Sequence, residues 1–153
     1  VAVKPWEEER EMSTIDTTLT SSPESEPLMT DASVTLVVGT LSRAAEIRVL
    51  PSGDTLVGLE VTARRPDGTA ESMPVSWPDA PTWAGRLNAG ERVVVVGRVR
   101  RRFYRAGGVT ASRTEIIADR VEPVRQRVRS VRLAHRARSL IDAAVAGLES
   151  ASR

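Results

Sequence analysis

The chain has 153 residues, a formal net charge of +2, 41% apolar residues and no cysteine. That length holds one domain with appendages and a modest core, and the missing cysteines exclude a disulfide framework and a thiolate metal site, as fits a reducing compartment. No run of about 18 apolar residues exists to span a membrane, and the N-terminus lacks the charged-then-apolar order of a signal peptide, so a cytoplasmic protein with no membrane partner is expected.

The small net charge hides a polarity along the chain. Residues 1–28 carry seven acids against Lys4 and Arg10, a net −5. Residues 29–123 carry +2 and residues 124–153 carry +5, the latter from seven arginines against Asp142 and Glu149. An acidic tail, a nearly neutral domain and a basic C-terminal segment follow. The first 28 residues are rich in Glu, Ser, Thr and Pro, have no sustained periodicity and are expected to be disordered.

The folded domain is expected over 29–123. Val34 to Leu41 is a strand-like run and Glu46 to Leu50 a shorter one, followed by turn chemistry at Pro51-Ser-Gly-Asp54. Thr55 to Ala63 alternates, with Val57, Leu59, Val61 and Ala63 on one parity. Arg64-Arg-Pro-Asp-Gly-Thr69 is a hairpin signal, and Glu71 to Trp77 is a strand that Pro74 marks as an edge or a bulge. A short helix is expected over Ala80–Asn88, ending at Ala89-Gly90.

Glu91 to Val121 reads as two strands around a turn at Ala106-Gly107-Gly108. One parity of the first strand holds Val93, Val95, Gly97, Val99, Arg101 and Phe103 and is expected to face a core. The other holds Val94, Val96, Arg98, Arg100, Arg102 and Tyr104, a row of guanidinium groups ending in an aromatic ring. Such a row is either the solvated face of an outer strand or a polyanion-binding face. Three or four strands, a short helix and two more strands are the order of an all-β, five-stranded Greek-key barrel of the OB type.

Beyond it, the segment 124–153 is an Arg-rich helical extension: Leu133, Ala137, Leu140, Ala144 and Leu148 recur at helical spacing, with Ser130 as a candidate cap. Arginines crowd its N-terminal half, against the helix dipole. His135, the sole histidine, is read as an exposed helix residue. With one His, no Cys, no Walker loop and no GxGxxG after a strand, the sequence offers no metal site, cofactor, small-molecule substrate or enzymatic chemistry.

Three segments carry a family resemblance. Val38-Val-Gly-Thr-Leu with Glu46-Ile-Arg-Val-Leu-Pro-Ser-Gly resembles the opening strand and turn of bacterial single-stranded DNA-binding proteins. Leu87-Asn-Ala-Gly-Glu-Arg-Val-Val-Val-Val-Gly-Arg-Val-Arg and Thr114-Glu-Ile-Ile-Ala-Asp-Arg-Val resemble later segments of that family, in the same order. The resemblance implies an OB fold that holds single-stranded DNA without catalysis, assembled as a homo-oligomer (tetramer or dimer), in replication, repair or recombination. It further implies bases stacked on Trp77 and Tyr104, with phosphates held by Arg48, Arg64, Arg65, Arg98, Arg100, Arg102 and Arg105. Trp83 is expected to pack on the barrel instead. Two departures stand out: the Arg64–Thr69 loop has no aromatic, and a basic helix replaces the family's flexible linker and acidic tip. They leave open the alternative of an OB protein-interaction or assembly subunit with little DNA affinity.

Overall fold

A computed structural model describes residues 31–153, so the acidic tail expected at 1–28 lies outside the described residues. The elements run β1 (Thr35–Leu41), β2 (Glu46–Val49), β3 (Thr55–Arg64), β4 (Ala70–Pro78), a 3-10 turn (Thr82–Arg86), β5 (Arg92–Ala106), β6 (Val109–Pro123) and α1 (Arg127–Ala151).

One six-stranded sheet, in the order β1-β5-β6-β4-β3-β2, curls until β1 also meets β3, pairing Thr40 with Thr62 and Leu41 with Val61. The result is a near-closed ring of strands, antiparallel except where β4 runs parallel to β6, with β2 laid on the outer edge of β3. This arrangement is consistent with an OB fold. Alternation decides which side chains fill the ring: Val57, Leu59 and Val61 of β3, Val75 and Trp77 of β4 and Val93 and Val95 of β5 share the core with Leu41, Ile116 and Val121. Pro74 is tolerated because β4 meets β6 only from Val75 onward, leaving that flank unpaired. The helix expected over Ala80–Asn88 is a five-residue 3-10 turn, which inserts Ala84 into the core ahead of a buried Leu87.

On the outside, α1 lays Leu133 and Ala137 against Val94 and Val96 of β5, with Val124 beside them. Each large apolar side chain buried there stabilises the docking by about 1.5–3 kcal/mol. That contact explains how α1 forms with arginines in its first turns and no side-chain cap. Ser130 is not the cap: the helix begins at Arg127, and the Ser130 hydroxyl donates to the Arg127 carbonyl at 3.0 Å. Farther along, Leu140, Ile141, Val145 and Leu148 are exposed, so the apolar stripe is covered only in its first half. None of the described helices is long and apolar enough to cross a membrane.

Candidate nucleic-acid interface

β5 and β6 are each 15 residues long, more than the ring needs, and their outer halves form a two-stranded ribbon. The ribbon begins at a bulge. The pairing register shifts between Val96 and Gly97, and a Cβ on Gly97 would stand 2.0 Å from the Ile117 carbonyl oxygen. Its tip is a two-residue turn at Gly107 and Gly108, both at positive φ (58° and 81°) as tight hairpin turns demand.

Val93 to Val96 are all buried, because β5 has the core on one side and α1 on the other. Past Gly97 neither cover remains. The expectation that Val99, Arg101 and Phe103 face a core is therefore corrected: Val99 is 53% and Phe103 67% exposed. The Arg101 guanidinium instead sits 5.0 Å from the centre of the Phe103 ring, a cation–π contact. Arg105 shares that parity, so it lies across the ribbon from Tyr104 rather than beside it.

The other face carries Arg98, Arg100, Arg102 and Tyr104, the last 46% exposed. Register brings β6 residues onto the same face: Glu115 opposite Arg100, and Arg113 opposite Arg102. Glu115 is buried and receives Arg100 Nη2 at 2.9 Å, the Ser76 hydroxyl at 2.7 Å and Arg102 Nε at 3.6 Å. Burial pushes its pKa up, but hydrogen bonds from Arg100 and Ser76 and the charges of Arg100 and Arg102 outweigh it, and the net pKa is lowered. Asp119, at the bulge, lies 3.7 Å from Arg98. The arginine row is thus partly neutralised by its own partner strand. Arg113 was not singled out in the sequence, and it has no acidic partner among the described residues.

The remaining candidates are scattered. Trp77 does not offer a stacking face: it is 4% exposed, in the core on the parity of Val75, with its ring edge-to-face with Trp83 at 5.6 Å between centroids. Trp83 is half-buried on the 3-10 turn and packs against the core as expected. Arg48 bonds Glu46 at 3.2 Å on β2, and Arg65 bonds Glu71 at 3.3 Å across the β3–β4 turn. Arg64 stands exposed at the end of β3, beside a cleft shared with β1 and Arg92. None of these three shares a hydrogen bond or ion pair with the ribbon among the described residues. In the β3–β4 turn, Thr69 donates through its hydroxyl and its amide to Asp67, holding that carboxyl below its usual pKa.

Among the described residues no three His, Asp or Glu side chains gather as metal ligands. No curated protein matches the chain. The single-strand binding protein family does: its model matches residues 32–124, from just before β1 to just after β6, leaving α1 outside. With 93 of 153 residues matched across every strand of the ring, the chain belongs to the single-strand binding protein family, a family of non-catalytic binding proteins.

Proposed function

We infer that the chain binds single-stranded DNA in preference to duplex and with little sequence selectivity, using the Arg98/Arg100/Arg102/Tyr104 face of the ribbon. The observation that carries this reading is Arg102 directly opposite Arg113 on an exposed ribbon. Like charges held face to face destabilise a strand pair, and a phosphate between them turns the repulsion into attraction. Tyr104 beside the pair supplies a ring for stacking, which tolerates any base. Arg48, Arg64, Arg65 and Arg105 are outlying phosphate contacts in this reading. The activity belongs to the single strands exposed in replication, repair or recombination, in the cytoplasm.

The assembly is a homo-oligomer, a tetramer or a dimer. The uncovered distal stripe of α1 and exposed Leu36 and Val38 on β1 support it, as apolar surface that a second copy would bury. The rival reading, an OB assembly subunit with little DNA affinity, draws on the ion pairs that occupy Arg98, Arg100 and Arg102 and on the burial of Trp77.

A salt titration with labelled oligo(dT) decides between them. Each phosphate neutralised on a single strand contributes about −0.7 to the log–log salt slope, so Arg98→Ala with Arg102→Ala flattens it by about 1.4 units. An unchanged slope and affinity in that double variant would refute the ribbon as the binding face.

A further inference from the structure

On the ribbon, Arg98, Arg100 and Arg102 have acids beside them, whereas several arginines where α1 crosses the ring do not. Among the described residues, Arg86 on the 3-10 turn and Arg129, Arg132 and Arg136 on α1 form no ion pair. These four converge on the seam where α1 crosses the ring. Three adjoining clefts of about 250, 340 and 290 Å³ run along it, and Arg129 lines all of them. Trp83 lines two, the only aromatic ring there besides the buried Trp77 among the described residues.

The acids that line the clefts are Asp79, Asp119 and Glu122. Asp119 already faces Arg98, and Glu122 holds Arg120 at 2.8 Å through one carboxylate oxygen, its other oxygen buried without a partner. Glu91, just outside, holds Arg125 at 3.3 Å. Six arginines against three acids leave the lining at net +3. Clefts at or below the lower end of small-molecule pockets suit one planar ring at a time rather than a whole cofactor. A cation-lined groove with an aromatic wall suits bases alternating with phosphates.

The seam also begins where the ribbon row ends. Asp119, the partner of Arg98 at the base of the ribbon, lines the third cleft together with Arg120, Trp83 and Arg129. We propose that a single strand bound along the ribbon continues past the Arg98–Asp119 pair into this seam, where Trp83 stacks a base and Arg86, Arg129 and Arg132 hold phosphates. The inference rests on the ribbon reading but adds a second contact zone, built by a helix outside the family match. The seam makes α1 part of the binding surface.

The test uses the full chain and oligo(dT) long enough to leave the ribbon. Arg86→Gln, Arg129→Gln and Arg132→Gln together alter exposed side chains only and are expected to flatten the salt slope by about 2 units. Made in a Trp6→Phe background, Trp83→Phe keeps a ring in the core packing and is expected to abolish most of the tryptophan quenching that oligo(dT) causes, since Trp77 is buried. An unchanged slope in the triple variant, or a full quench surviving Trp83→Phe, overturns the seam. If the triple variant behaves as expected while Tyr104→Ala binds like the wild type, the ribbon reading fails and the seam stands. Absence of any oligo(dT) binding by the wild type overturns both.

Discussion

Replacing Glu115 by Gln separates a binding ribbon from a structural one. The ribbon face sums Arg98, Arg100, Arg102 and Arg113 against Glu115 and Asp119, a net +2, and Glu115→Gln raises it to +3. One added effective charge steepens the log–log salt slope for oligo(dT) by about 0.7. Affinity rises at low salt, because Arg100 and Arg102 no longer exchange a carboxylate for each phosphate they meet. Stability moves the other way. Gln can still accept from Ser76 and Arg100, and the Arg100 side chain is 44% exposed, so solvent screening limits the loss to about 1 kcal/mol. The sign with pH is fixed by the lowered pKa of Glu115: its contribution is present above the unfolded carboxylate value, near 4.3, and is lost as pH falls through the lower folded value. The stability gap between wild type and Glu115→Gln should therefore hold at pH 7, narrow once the pH falls below the unfolded carboxylate value and close as it passes the lower folded one. Fluorescence anisotropy across salt and urea melts across pH read the two effects. A variant that loses stability but gains neither slope nor affinity would refute the ribbon as a phosphate-binding face and favour the assembly reading.

Tyr104→Ala should weaken oligo(dT) binding by roughly 1–3 kcal/mol and leave the salt slope nearly intact, since a stacked ring neutralises no phosphate; titration at two salt concentrations reads both. Leu133→Ala removes the largest side chain clamping α1 to β5 and should cost about 2–5 kcal/mol if the helix unfolds with the ring, measured by urea melts. Truncation after Pro123 should lower both the melting temperature and oligo(dT) affinity, whereas unchanged melting with weaker binding would mean that the helix adds charge alone.

Much of the ring was legible because its strands obey a period of two. Val57, Leu59 and Val61 alternate as half-buried strands do, and the turn residues at Pro51–Asp54 and Pro66–Gly68 punctuate them. The same rule misled at Phe103, because alternation tells which residues share a face and not where the cover over that face ends. Gly97 carried the missing signal: an isolated glycine inside a strand marks a bulge or a close backbone approach. Trp77 was misassigned for a different reason. The family's stacking pattern pointed to the end of that strand, yet Trp77 shares parity with Val75 and lies in the core beside it. The Arg100–Glu115 pair lay within reach, since counting outward from the Gly107-Gly108 turn pairs Ala106 with Val109 and then Arg100 with Glu115. The Trp83 seam was not legible: it joins residues more than 40 positions apart through the docking of α1, which no local pattern encodes.

The two basic surfaces differ in what they can do for a polyanion. On the ribbon, Arg98, Arg100 and Arg102 reach phosphate only by giving up Asp119 or Glu115, so binding there exchanges one anion for another and gains little long-range attraction. On α1, Arg129, Arg132 and Arg136 have no acid to give up among the described residues, and their field reaches solvent over a Debye length of about 8–10 Å. The helix should therefore govern encounter and the larger share of the salt dependence, while the ribbon, with Tyr104 and the opposed Arg102 and Arg113, should govern the preference for an unpaired strand. This division also accounts for a helix whose first turns carry arginines against its own dipole. The apolar clamp at Leu133 and Ala137 holds the helix in spite of them, and in the proposed seam the repulsion among them would be relieved when phosphates arrive.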